Sequence, residues 1–290
     1  MPSLKDLRNR IKSVKSTQQI TKTMKMVAAA KVRRARMKCE QARPYAEKLN
    51  EVLVGLAKNT SNMGGPLLLS GYGHVETVRI VVVSADRGLC GGFNANLAKE
   101  VTVKIKELLA QGKKVEIVTV GKKVRDILKA DYAELLVDHV EDSTKNVSYE
   151  LATEIGQKLM AAFEASDCQE VIMYYNKFVN MMVQQPTMQY LAPFKVEDEA
   201  ENGSIAPSVE YEPEEEAILK VLLPRNVNVQ ILNAMLESGA AEQAARMTAM
   251  DSATTNAGQM ISKLSLEYNR TRQAAITTEL TEIVAGAEAV

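Results

Sequence analysis

Residues 247–268 of the chain read MTAMDSATTNAGQMISKLSLEY. Within this stretch apolar or small side chains recur at alternating steps of three and four residues, at Met247, Met250, Thr254, Ala257, Ile261, Leu264 and Tyr268. This spacing is typical of the seam along which one helix of a coiled coil packs on its partner. No proline follows Pro224, and the sequence predicts one helix from Arg225 to Ala285.

The amino-terminal region has a similar pattern. It contains neither glycine nor proline from Ser3 to Arg43, and Pro44 is expected to kink the helix rather than end it. Its apolar stripe contains Leu4, Leu7, Ile11, Val14, Met24, Val27 and Ala28. Three polar residues interrupt this stripe: Gln18, Gln19 and Thr21. No single globular core covers a helix roughly 80 Å long at 1.5 Å per residue, so the two terminal helices are predicted to pack on each other.

Two glycines, Gly239 and Gly258, fall inside the predicted carboxy-terminal helix. Glycine in a helix interior costs about 1 kcal/mol relative to alanine. We therefore expect another backbone to approach the helix closely at these positions.

The middle of the chain alternates between strand and helix patterns. Residues 78–83, VRIVVV, form a dense β-branched run, as expected for a strand that is buried on both faces. Further strands are predicted at 115–120, 133–137, 170–178 and 181–190, with helices at 96–111 and 147–165. This alternation indicates an α/β unit with a mostly parallel sheet.

The predicted fold class is therefore α/β, with a long antiparallel coiled coil of the N- and C-terminal helices and a central Rossmann-like α/β domain. We place the N-terminal coiled-coil helix at 1–57, the central domain at 75–195, an acidic loop at 196–216 and the C-terminal coiled-coil helix at 217–290. The loop is assigned because Glu197 to Glu216 holds nine acidic residues and no lysine or arginine.

Charge is strongly segregated along a chain whose total is zero. Residues 1–43 hold thirteen lysines or arginines and two acids, a net charge of +11, so the remainder carries −11. Such asymmetry indicates an oppositely charged partner, which is a nucleic acid, an anionic membrane or an acidic protein surface. A solvated helix face is the simpler alternative.

The sequence contains no recognisable catalytic motif. The loop Asp86–Gly92, DRGLCGG, follows the first strand but matches neither the Walker A loop nor G-x-G-x-x-G. Its amides offer a cradle for an anion, yet a tight turn braced by Asp86 and Arg87 is the favoured interpretation. Cys90 has no histidine near it in the sequence to activate it as a nucleophile. We predict no catalytic residue, metal or cofactor, and no segment reaches the roughly 18 apolar residues that span a bilayer.

Several longer motifs resemble one known family. Residues 276–287, ITTELTEIVAGA, closely resemble the carboxy-terminal signature of the gamma subunits of F-type ATP synthases. The resemblance covers nearly the whole chain and includes TQQITK at 17–22, MKMVAA at 24–29, DRGLCGG at 86–92, EQAARM at 242–247 and YNRTRQ at 268–273. The chain resembles the bacterial type, because the regulatory cysteine insertion of the chloroplast subunit is absent.

The resemblance implies a rotor shaft without a catalytic site of its own. In this family the coiled coil turns inside a hexamer of three alpha and three beta subunits, and the central domain docks on the epsilon subunit and the c-subunit ring. Proton flow turns the ring and shaft and so drives ATP synthesis on the beta subunits. The resemblance also implies a peripheral position on the cytoplasmic face of the bacterial inner membrane, without nucleic acid or direct bilayer insertion.

It further implies five partner-contact residues. Met24 and Arg246 resemble positions near the acidic lever segment of beta, and Arg272, Gln273 and Thr277 resemble positions that meet the beta loop gripping the upper shaft. Two other classes stay open from the residues alone: a basic helical nucleic-acid-binding protein, which lacks the usual aromatic or motif signals, and an enzyme built on the α/β unit.

Overall fold

The structure, a computed structural model, describes residues 3–60, 65–141, 147–195 and 215–288. The chain divides into two compact units, residues 1–29 with 246–290 and residues 30–245. The predicted acidic loop at 196–216 lies outside the described residues, except for Glu215 and Glu216 at the start of the last helix.

Two long helices begin and end the described chain. Helix α1 spans Leu4–Thr60 and contains Pro44, while helix α6 spans Glu215–Glu288 and contains Pro224. Helix α6 therefore begins ahead of Pro224, close to the start of the 217–290 assignment, and not at Arg225, where the absence of later prolines placed it. Leu219 and Leu223 are buried in the core, and this packing offsets the ~3 kcal/mol that a proline costs inside a helix.

The second unit is built on one five-stranded sheet. Its strands are β1 (Thr77–Val83), β2 (Lys114–Val120), β3 (Leu136–Val140), β4 (Glu170–Phe178) and β5 (Gln184–Ala192). The strand order is β3-β2-β1-β4-β5, in which the first four strands are parallel and β5 pairs antiparallel with β4.

Four shorter helices accompany the sheet. They are α2 (Leu67–Ser70), α3 (Phe93–Ala110), α4 (Lys122–Tyr132) and α5 (Tyr149–Glu164). Ser148 caps the start of helix α5, and its hydroxyl accepts the amide hydrogen of Leu151, as expected of a serine cap. The four-residue α2 carries too little periodic pattern to be predicted from sequence.

Alternate residues of the strands face two separate cores. In β1, Val78, Ile80 and Val82 pack with α3 and α4, whereas Val81 and Val83 pack with α5 and with parts of α1 and α6. The sheet is thus covered on both faces, which explains the continuous β-branched run. The predicted fold class is confirmed.

Candidate functional site

The two terminal helices pair within the first unit. Four contacts fix their register: Arg8 with Tyr268, Gln18 with Gly258, Thr21 with Thr254, and Lys25 with Asp251. As the residue number rises along α1, the number of its partner falls along α6, so the helices are antiparallel. The predicted coiled coil is confirmed.

Polar residues take part in the seam of this helix pair. The hydroxyl oxygens of Thr21 and Thr254 lie 2.8 Å apart, and Thr21 is buried. A Cβ added to Gly258 would lie 3.0 Å from Nε2 of Gln18. Gln18 and Thr21, two of the three polar residues that interrupt the sequence pattern, therefore belong to the packed face, whereas Gln19 is exposed.

The expected close approach of another backbone is found at neither glycine, and at Gly258 a side chain approaches instead. At Gly258 the amide of Gln18 fills the space that a larger side chain would occupy. At Gly239 an added Cβ would meet no heavy atom within 4 Å among the described neighbours. Close packing thus explains Gly258 but not Gly239.

The five predicted partner-contact residues all lie in the first unit. Met24 and Arg246 are half-buried, whereas Arg272, Gln273 and Thr277 are exposed. The hydroxyl of Thr277 donates to the carbonyl of Gln273 at 2.9 Å. In the antiparallel register of the helix pair, residue 252 of α6 lies opposite Met24. Arg246 is six residues from that position, or ~9 Å along the helix at 1.5 Å per residue. Met24 and Arg246 therefore do not lie directly opposite each other.

Basic side chains of α1 are open to solvent in the second unit. Lys31, Arg33, Arg34 and Lys38 are exposed, and no described carboxylate lies within 4 Å of their charged groups. Arg36 instead pairs with Glu40 at 2.7 Å. This face leaves several positive charges available for an acidic surface.

Doubly wound α/β folds bind their ligands at the carboxyl ends of the strands of the sheet. The ligand lies between the two neighbouring strands at which the strand order reverses. Here that position lies between β1 and β4. A cluster of mostly small buried side chains from the strand ends, α1 and α6 packs there: Val32, Cys39, Ala85, Cys90, Phe93, Phe178, Ala240, Ala241, Ala244 and Ala245. The chain's own helices therefore occupy this ligand position.

The loop after β1 makes structural contacts. The carboxylate of Asp86 accepts the amide hydrogen of Lys122 at 3.3 Å, and the side-chain oxygen of Asn94 accepts that of Ala85 at 3.1 Å. The buried Cys90 thiol contacts the Arg87 carbonyl and the Asn94 amide, neither of which is a base that activates a thiol. These contacts brace the turn between β1 and α3.

An ion pair that the sequence analysis missed ties α1 to α6 in the second unit. Arg43 Nε donates to Glu237 Oε1 at 2.7 Å, and the Glu237 side chain is only 2% exposed. The hydrogen bond that Arg43 donates to Glu237 raises the pKa of Arg43, while burial raises the pKa of nearby Cys39 to about 12. No sequence signal marks Glu237, except that it interrupts a run of apolar and small residues.

Two kinds of feature are absent from the described parts of the chain. No cluster of three histidine, cysteine, aspartate or glutamate residues there could hold a metal ion. Likewise, none of the described helices combines the length and apolar character needed to cross a bilayer.

Comparison with known proteins gives consistent matches. Residues 3–290 match the family described as ATP synthase. A protein from Ruegeria pomeroyi named ATP synthase gamma chain is 53% identical over 292 residues, covering 100% of both chains. A chain in the central stalk/c-ring structure of the Tetrahymena thermophila mitochondrial ATP synthase is 26% identical with a TM-score of 0.61, covering 81% of this chain and 99% of that one. A chain of the Euglena gracilis mitochondrial ATP synthase is 20% identical with a TM-score of 0.69, covering 99% and 94%, and has the same fold.

Proposed function

Because the chain belongs to the ATP synthase gamma-chain family, we propose that it is the central rotor shaft of an F-type ATP synthase. It couples proton flow through a membrane sector to ATP synthesis or hydrolysis on the beta subunits. The observation that carries the proposal is the antiparallel pairing of the terminal helices through seam contacts from Arg8–Tyr268 to Lys25–Asp251. Two helices locked in register resist twisting better than one, so they transmit rotation.

The partners follow from the family and from charge. We expect three alpha and three beta subunits around the helix pair, and the epsilon subunit and the c-subunit ring beside the second unit. The Tetrahymena relative comes from a central stalk/c-ring structure, which supports the ring as a partner. Exposed basic residues such as Lys31, Arg33 and Arg34 favour acidic partner surfaces.

The nucleic-acid alternative loses its main support. Its one argument was the basic amino-terminal segment, and that segment now lies within a family match over residues 3–290. Acidic protein surfaces account for the same charge without a nucleic acid.

The shaft has no catalytic site of its own in this proposal. The chain's own helices fill the ligand position of its sheet, and Cys90 is only 2% exposed. We assign ATP chemistry to the beta subunits and a mechanical role to this chain. We also assign it a peripheral position at the cytoplasmic face of a bacterial inner membrane, held there by the c ring.

Two groups of residues transmit the motion. Met24 and Arg246, half-buried on the helix pair, are assigned to the acidic lever segment of beta. The exposed Arg272, Gln273 and Thr277 are assigned to the beta loop at the upper shaft. An arginine offers five donors, and a glutamine offers both donors and an acceptor, which suits polar atoms of a loop.

Reconstitution tests this function. The purified chain is expected to hydrolyse no ATP alone, but to be required for cooperative hydrolysis when it is mixed with alpha and beta subunits. The control is the alpha and beta mixture without the chain. Stoichiometric ATPase activity of the chain alone, or full cooperative activity without it, would contradict the proposal.

A further inference from the structure

A cavity of about 300 Å³ opens on the second unit between α1, α5 and α6. Small and aliphatic side chains line much of it: Ala42, Ala46, Val229 and Leu232. This volume is at the low end for ligand pockets, so it suits one or two side chains better than a large cofactor.

Two polar side chains, Arg225 and Asn233, line this cavity. The Arg225 guanidinium lies 5.7 Å from the centre of the Tyr45 ring, and no described carboxylate is within 4 Å of it. Oδ1 of Asn233 is shielded from solvent and has no hydrogen-bond partner within the described structure. Because Oδ1 has almost no accessible surface, a ligand in the cavity does not reach it, and the exposed Arg225 guanidinium is the polar group that a ligand meets.

Two large aromatic side chains also line the cavity. Tyr45 is 48% exposed and Tyr149 is 42% exposed. Tyrosine and arginine are enriched among the residues that dominate protein–protein binding, and these residues cluster around well-packed pockets. Two tyrosines and an arginine beside an apolar cavity therefore favour a protein segment as the occupant.

We propose that this cavity, the Tyr45 cavity, is a docking site for an acidic segment of another protein. An apolar side chain of that segment enters the cavity, which small and aliphatic side chains line. An adjacent aspartate or glutamate pairs with Arg225, whose charge no carboxylate among the described residues meets within 4 Å. The inference rests on the proposed function in one respect, because the segment is expected in a subunit of the same assembly.

A labelling experiment tests occupancy of the cavity. The native cysteines are buried, so a maleimide reacts selectively with the introduced thiol of a Tyr149→Cys variant. We expect labelling to be at least about tenfold slower in the assembled complex than in the isolated chain, because a docked segment excludes the reagent. Equal rates in the two states would overturn the proposal.

A photo-crosslinker attached to the same thiol identifies the occupant. The crosslinked peptide is expected to come from a different subunit, and to carry an apolar residue next to an aspartate or glutamate. A crosslink to a basic peptide, to the same chain or to a second copy of it would contradict the proposal, and so would a small molecule in place of a peptide.

Charge reversal supplies the matched control. Arg225→Glu, at an exposed position of α6, is expected to weaken docking by about thirtyfold, equivalent to 2 kcal/mol at 1.4 kcal/mol per tenfold. Lys106→Glu makes the same charge change at an exposed position of α3, which covers the other face of the sheet, and is expected to leave the crosslink unchanged. A wild-type chain that fails to assemble overturns both proposals, whereas rapid labelling of the Tyr149→Cys variant in an assembled complex overturns only the docking site.

Discussion

Arg43 on α1 and Glu237 on α6 share one residue of the sheet, Phe178. Arg43 donates to the Phe178 carbonyl at 3.2 Å, while the Glu237 carboxylate accepts the Phe178 amide hydrogen at 3.0 Å. The pair thus joins both long helices to the carboxyl end of β4. The hydroxyl of Ser238, which donates to the Val83 carbonyl at 3.4 Å, makes a similar link to β1. These contacts hold the helices in the ligand position of the sheet.

Removing one member of this ion pair is expected to destabilise the isolated chain. Arg43→Ala leaves the Glu237 carboxylate buried and is expected to lower the free energy of unfolding by about 3 kcal/mol. Glu237→Ala is expected to cost less, about 1–2 kcal/mol, because the Arg43 side chain is 36% exposed and water screens its charge. The double variant should lose less than the sum of the single losses. Chemical denaturation measures all three, and additive losses would contradict the pairing.

Two helical glycines are expected to respond in opposite directions to alanine. A Cβ on Gly156 of α5 would clash with Oδ1 of the buried Asn228, whereas Gly239 of α6 has open space around it. We expect Gly156→Ala to destabilise the chain by about 1–3 kcal/mol, and Gly239→Ala to stabilise it by up to about 1 kcal/mol. Thermal unfolding of the two variants compares them directly. A stabilising Gly156→Ala would show that α5 and α6 are not in close contact there.

The Glu116 carboxylate on β2 is expected to make stability depend on pH. Burial opposes its ionisation, but hydrogen bonds from Arg79 and Lys114 outweigh this and lower the pKa of Glu116. A lowered pKa stabilises the fold above the unfolded value, ~4.3, and this contribution disappears as pH falls through the folded value. Glu116→Gln is therefore expected to cost about 1–3 kcal/mol at pH 7, and the difference should shrink below pH ~4. A difference that is constant with pH would contradict this assignment.

The exposed contact residues near the end of α6 are expected to affect turnover more than assembly. Arg272→Ala combined with Gln273→Ala should leave subunit composition intact but lower ATP synthesis and steady-state hydrolysis. A charge-assisted hydrogen bond is worth roughly 1.5–3 kcal/mol, and each 1.4 kcal/mol on a barrier changes a rate about tenfold. Lys263→Ala, at another exposed position of α6, is the control. Normal rates in a correctly assembled double variant would rule out this contact.

Local patterns predicted much of the fold. The three-and-four spacing from Met247 to Tyr268 predicts the seam, because helical periodicity alone determines which residues share one face of a helix. The β-branched run at 78–83 predicts a strand that is buried on both faces, because such a strand has apolar side chains at consecutive positions. Both features require no knowledge of distant contacts.

Features that depend on a distant partner were not predictable. Gln18 and Thr21 interrupt the apolar stripe, and only the register with Gly258 and Thr254 shows that they pack in the seam. Glu237 resembles any other helical glutamate until Arg43 and Phe178 are placed beside it. The five partner-contact residues stay predictions, because the surfaces that they meet belong to other chains.

Rotation of the chain itself is the most direct test of the central claim. A probe attached to an introduced thiol, Lys106→Cys on α3, reports the orientation of the second unit while the beta subunits are immobilised. The native cysteines are buried and do not compete for the label. The account predicts stepwise rotation in one direction when ATP is added, at a rate that follows hydrolysis. Sustained hydrolysis with a stationary probe would contradict it.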